Sequence, residues 1–220
     1  MRLPVPPLLL ISDRTQARRP LAAIVEAALA GGCRWFSLRE KDLPPDERRR
    51  LLGALVELGH RCGAVVTAHA DLEAVAATGA DGVHLPSGED PATARARLPG
   101  ALIGASAHSP TEAAALLRAG ADYVTLSPVF ATASKPGYGP ALGLAGLAET
   151  VAGTSGPIVA LGGITAANAA ACIAAGARGV AVMGEVMRAA DPEAAVRALV
   201  RTLCGAGSGP VRTTIRRRVS

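Results

Sequence analysis

The residues able to do chemistry fall into three sets. Arg39, Lys41 and Lys135 are cations in short polar runs. Arg offers a planar fork of donors and Lys a compact point charge, types that suit a phosphate or pyrophosphate. Solvated surface charge is the plain alternative, most of all for Lys41. His69 and His108 could move a proton, because a neutral imidazole titrates near working pH. His84 lies between Val83 and Leu85 and reads equally as a satisfied core residue. The third set is Gly162-Gly163-Ile164-Thr165, with Gly184 further along. Paired glycines let the backbone come close to a ligand, and a helix opening at about Thr165 would turn its N–H groups and dipole toward a phosphate. A plain tight turn would use the same glycines. No Ser-His-Asp order stands out, and no Cys or His cluster has metal-ligand spacing. Cys33, Cys62, Cys172 and Cys204 are far apart and read as small buried groups in a reduced compartment.

Something must hold these residues in place, and one pattern recurs. A helix-like segment ends in Gly-Ala or Gly-Gly and a short β-branched run follows. It occurs at Gly31-Gly32, Gly79-Ala80, Gly120-Ala121 and Gly176-Ala177. Each site places a Gly where a helix can end in the left-handed conformation. Four more runs read as strands without this lead-in: Leu8–Ile11, Ala64–Thr67, Leu102–Ala105 and Pro157–Leu161. Segments with helical spacing cover 20–30, 44–61, 71–78, 91–98, 110–119, 143–152, 165–175 and 191–203. Eight strands alternating with eight helices argue for parallel βαβ units. The expected fold is α/β, a single (β/α)8 TIM barrel over residues 1–204, with a doubly wound open sheet as the alternative.

In such a barrel the strands' C-terminal ends carry the site. Those ends bring in Ser37, Arg39 and Lys41 from strand 2, His69 from strand 3 and His84, Ser87, Glu89 and Asp90 from strand 4. Ser106 and His108 follow from strand 5 and Ser127, Thr132, Ser134 and Lys135 from strand 6. Strands 7 and 8 end in Gly162-Gly163 and Met183-Gly184. Phosphate sites in barrels often use the loops after these last two strands, and Gly184 could add a backbone N–H. Side-chain alternation puts Ser37, Arg39 and Lys41 on one face of strand 2 and Leu38 and Glu40 on the other.

The chain has 220 residues, of which 50% are hydrophobic and 19% charged, a balance that excludes wholesale disorder. Only 2% are aromatic, which argues against modules that stack nucleic-acid bases. Four of the five net positive charges sit on Arg212, Arg216, Arg217 and Arg218, leaving residues 1–204 at +1. The basic character therefore belongs to residues 205–220, which read as a flexible tail, and no nucleic-acid surface is implied on the body. Residues 3–11 are broken by Pro4, Pro6 and Pro7 and lack a basic lead-in, so no signal peptide is read there. No apolar stretch reaches the roughly 18 residues of a membrane helix. A cytoplasmic protein with no membrane contact is expected, with a homodimer left open.

The sequence also resembles a known family. Ser37-Leu38-Arg39-Glu40-Lys41 resembles its LREK motif, and Gly79 to Leu85 its GADGVHL stretch. Residues 104–109, the 127–136 loop and Ala160-Leu161-Gly162-Gly163-Ile164 follow in order. Over roughly residues 6–203 the chain is similar to the thiamine-phosphate synthase / TenI family of (β/α)8 barrels. For the synthase branch, the resemblance implies a pyrimidine diphosphate joined to a thiazole phosphate with Mg2+. Arg39, Lys41 and Lys135 would then face the pyrophosphate, and Gly162, Gly163 and Gly184 the thiazole phosphate. Thr132 and Ser134 would lie in the lid loop, with His69 and Ser106 also against substrate. For the TenI branch, it implies a metal-free thiazole tautomerase with His108 as acid and base.

The chain departs from the synthase pattern at three places. Ser37 stands for a Gln, His69-Ala70 for Asn-Asp, and Pro86-Ser87-Gly88-Glu89-Asp90 follows strand 4. One Mg2+ carboxylate is therefore missing, and Glu89 is the metal ligand expected if the chain is a synthase. The leading expectation is a TenI-like tautomerase in which Arg39 and Lys135 orient the substrate and His108 transfers the proton, with no cofactor. The alternatives are a synthase with Mg2+, a non-catalytic barrel binding thiamine-pathway phosphates, and a nucleic-acid or membrane contact through the tail.

Overall fold

The computed structural model describes residues 3–132 and 140–206. Eight parallel strands close into a barrel in sequence order. They are β1 (Leu8–Ile11), β2 (Trp35–Leu38), β3 (Val65–His69), β4 (Gly82–Leu85), β5 (Leu102–Ala107), β6 (Tyr123–Leu126), β7 (Ile158–Leu161) and β8 (Gly179–Val182). The ring closes through β1 and β8, with Leu8 opposite Val180 and Leu10 opposite Val182. The helices are α1 (Leu21–Ala30), α2 (Pro45–Arg61), α3 (Leu72–Thr78), α4 (Pro91–Arg97), α5 (Pro110–Arg118), α6 (Gly143–Ala152), α7 (Ala169–Ala174), α8 (Gly184–Met187) and α9 (Pro192–Ala206). The closed barrel rules out the open doubly wound sheet. Among the described residues no helix is long and apolar enough to cross a membrane. Residues 207–220, most of the expected tail, lie outside the described residues.

The recurring Gly motif has a physical origin. Gly32, Gly79, Gly120 and Gly176 all carry positive φ and reverse the chain from helix to strand. In two of the repeats the next acid ties the bottom of the barrel together. Asp81 Oδ2 accepts from the Val66 amide at 2.7 Å, and Asp122 Oδ2 accepts from the Ile103 amide at 2.8 Å. Each Asp thus anchors the start of the preceding strand.

Two apolar layers result from the period-two alternation of the strands. Outward residues such as Leu8, Leu10 and Leu38 pack under the helices. Inward residues Leu9, Ile11, Trp35, Leu102, Tyr123, Val159 and Ala181 fill the barrel. Trp35 and Tyr123 meet edge to face with centroids 4.7 Å apart. Gly104 makes this possible, because a Cβ there would overlap the Tyr123 ring.

Three differences from the sequence reading bear on the site. A 3-10 turn at Arg14–Gln16 and the one-turn helix α8 add to the eight helices expected. Strands β3 and β5 run two residues further than expected, which carries His69 and Ser106 into the sheet. Helix α7 opens at Ala169 instead of about Thr165, because Asn168 organises a turn ahead of it. The Thr165 amide donates to Asn168 Oδ1 at 2.9 Å, and Asn168 Nδ2 donates to the Gly163 carbonyl at 2.9 Å.

Candidate active site

A cavity of about 480 Å3 opens at the C-terminal mouth of the barrel. Arg39, Lys41, His69, Ser106, His108, Thr132, Gly162, Gly163 and Gly184 all line it. Ser134 and Lys135 lie outside the described residues. Glu89 does not line the cavity. Gly88 has φ +90 and turns the chain outward, and Asp90 caps α4 by accepting from the Ala92 and Thr93 amides.

The β2 end supplies charge. Ser37, Arg39 and Lys41 follow the alternation into the cavity, whereas Glu40 turns away and is 2% exposed. Glu40 accepts twice from the Arg14 amide, at 3.2 and 3.0 Å, which fixes the β1 loop against β2. Its burial raises its pKa despite these bonds. The Arg39 amide donates to Ser12 Oγ at 2.8 Å, and its guanidinium lies 3.9 Å from Asp13. Burial works to raise the Asp13 carboxyl, but hydrogen bonds from Thr15 and Gln16, with the charge of Arg39, hold it below its ordinary value. Burial and the neighbouring Arg39 lower the Lys41 ammonium.

The floor is polar. His84 Nδ1 meets the Tyr123 hydroxyl at 3.0 Å, and Nε2 meets Ser106 Oγ at 2.9 Å and Thr125 Oγ1 at 3.2 Å. Burial, with the charge of Arg39, lowers its pKa to about 4, so the ring is neutral near pH 7. The reading of His84 as a satisfied buried residue holds, although its ring also reaches the cavity. His69 stacks on it with centroids 6.0 Å apart. Ser37 Oγ is buried and has no hydrogen-bond partner among the described residues. It faces the cavity, so it is a donor and acceptor suited to a ligand. Ala70, just past His69, has φ +61, a region sparsely used by residues other than Gly.

His108 is held from both sides. Its amide donates to Glu112 Oε2 at 2.7 Å, and Glu112 Oε1 accepts from Ser87 Oγ of the adjacent loop. His108 Nδ1 lies 2.8 Å from the Ser127 carbonyl, which can only accept. Nδ1 therefore carries the proton and the neutral ring keeps its lone pair on Nε2.

The β7 and β8 ends form the other flank. Gly162 and Gly163 have φ +96 and +63. A Cβ at Gly163 would lie 2.5 Å from the Ala131 carbonyl oxygen and 2.8 Å from Phe130 Cβ. The bare glycines thus admit the β6 loop, a packing reason alongside ligand approach. Because α7 starts late and the Thr165 amide is engaged by Asn168, the expected helix N-terminus does not stand directly behind this loop. Arg188, which sequence reasoning missed, lines the cavity here. Its position four residues after Gly184 was the available signal, since helical spacing stacks such pairs.

Mg2+, implied by the synthase resemblance, does not fit the donors present. Among the described residues no three His, Cys, Asp or Glu side chains cluster to hold a metal. Glu185 is the one acid lining the cavity among those residues, and it follows β8, whereas Arg39 and Lys41 follow β2.

The family model described as thiamine monophosphate synthase matches residues 8–186. The thiamine-phosphate synthase of Methanoculleus marisnigri is 44% identical over 195 residues, covering 87% of this chain and 92% of that one. The thiamine-phosphate synthase of Moorella thermoacetica is 40% identical over 191 residues, with 86% and 91% covered. Among solved structures, the thiamine phosphate pyrophosphorylase of Pyrococcus furiosus superposes with a TM-score of 0.83 at 32% identity, covering 90% of this chain and 96% of that one.

Proposed function

The chain belongs to the thiamine monophosphate synthase family, and we propose that it is a synthase joining hydroxymethylpyrimidine diphosphate to a thiazole phosphate with release of pyrophosphate. The names of its relatives favour this over the tautomerase expected from sequence. The observation that carries it is one cavity lined by Arg39, Lys41 and Arg188 together with a polar floor in which His84 is neutral near pH 7. Two anionic groups joined to uncharged rings suit that distribution.

In the reaction the bond from the pyrimidine's methylene carbon to the diphosphate oxygen breaks, the oxygen keeps the electron pair, and the lone pair of the thiazole nitrogen forms the new bond to that carbon. Negative charge grows on the leaving group. Arg39 and Lys41 stand where preformed positive charge would stabilise it. Ser37, His69 and Ser106 offer hydrogen bonds to a ring, and the closed floor keeps water from one face. The Gly162–Gly163 loop and Gly184 receive the thiazole phosphate.

The tautomerase is the second reading, favoured by His108. With Nδ1 donating to Ser127, Nε2 can take a proton from a thiazole and return it elsewhere on the ring. Supplying the full chain with both synthase substrates and Mg2+, and separately with the carboxythiazole phosphate alone, divides the two. Pyrophosphate release with His108→Ala still active supports the synthase. Aromatisation without pyrophosphate release, lost in His108→Ala, overturns it.

A further inference from the structure

We propose that Arg188 binds the phosphate on the β7–β8 side of the cavity, tethered there by Gln16 and admitted by the missing side chain at Gly184. The identity of the ligand, a thiazole phosphate, rests on the synthase reading.

Arg188 ends the short helix α8 and shares the cavity lining with Gly162, Gly163 and Gly184. Helical spacing folds its guanidinium back over Gly184, where a Cβ would overlap it. The guanidinium is then held by a chain of side chains. Arg188 Nη1 donates to Gln16 Oε1, and Gln16 Nε2 donates to Asp13 Oδ2 at 2.6 Å. That same oxygen lies 3.9 Å from Arg39 Nη1. The 3-10 turn after β1 therefore sets both guanidiniums, one on each flank of its loop.

The phosphate flank has need of such a charge. The helix after Gly162–Gly163 begins only at Ala169, and the Thr165 amide already serves Asn168. Glu185 shares the rim and works against an anion. A forked guanidinium can donate twice to one phosphate, a strong and directional contact.

Titration calorimetry on the full chain, with thiazole phosphate and with the unphosphorylated thiazole alcohol, tests this. Arg188→Ala should weaken the phosphate ligand by about ten- to a hundredfold, the range of a charge-assisted pair, and leave the alcohol unchanged. Gly184 carries no positive φ, so Gly184→Ala should fold normally and displace only a flexible guanidinium. It should lose affinity to a similar extent, and the double variant should be no weaker than Arg188→Ala, a coupling that independent sites would not show. Gln16→Leu, removing a positioning residue, should raise KM for thiazole phosphate and keep kcat. Unchanged phosphate affinity in Arg188→Ala, or additive losses in the double variant, would overturn the proposal. If the wild type binds no thiazole phosphate, the synthase reading fails by itself. Inorganic phosphate then serves as the probe: its loss in Arg188→Ala keeps the proposal, and unchanged binding ends it.

Discussion

Acid should destabilise this barrel through His84. The ring is 3% exposed, and burial with the charge of Arg39 lowers its pKa from 6.5 to about 4. An unfolded chain takes up this proton near pH 6.5, while the folded chain refuses it until about pH 4. Between those values the unfolded state holds more protons, so stability falls as the pH falls. Above about pH 6.5 the contribution is fully present, and below about pH 4 it is lost. A gap of about 2.5 units corresponds to roughly 3 kcal/mol. Urea unfolding of the wild type and of His84→Gln between pH 8 and pH 4 reads this directly. The variant loses bonds to Tyr123, Ser106 and Thr125 and should start less stable, yet lose roughly 3 kcal/mol less across the window. Parallel curves for the two proteins would refute both the neutral His84 ring and its origin in burial.

Two further changes probe the flanks of the site. Gly163→Ala places a Cβ against the Ala131 backbone at φ +63 and should cost about 1–3 kcal/mol, measured by thermal unfolding; an unshifted Tm would deny the close approach. Arg39→Met should lower kcat/KM for pyrophosphate release by about 10²–10³ and leave Tm near the wild-type value, measured by a continuous pyrophosphate assay.

Much of this arrangement is legible in the sequence because it depends on local rules. Period-two alternation correctly turns Ser37, Arg39 and Lys41 inward and Glu40 away. The Gly-Ala repeats mark helix ends because only a residue at ease with positive φ can reverse the chain there. Strand ends then converge by closure of the barrel, which brings His69 from β3 to one cavity with Ser106 and His108 from the end of β5. The misses come from side-chain contacts made across long sequence separations. Arg188 and Gln16 meet 172 residues apart, and neither stands in a recognisable motif. Asn168 delays α7 by satisfying a loop amide, a local competition that helix propensity does not register. Glu89 turns away because Gly88 and the cap at Asp90 decide the loop's path.

A single-turnover measurement separates coupling from proton transfer at this site. The full chain, supplied with hydroxymethylpyrimidine diphosphate, thiazole phosphate and Mg2+, should release one pyrophosphate for each coupled product formed. Absence of both, with aromatisation of the carboxythiazole phosphate that disappears in His108→Ala, would contradict the synthase and return the site to proton transfer.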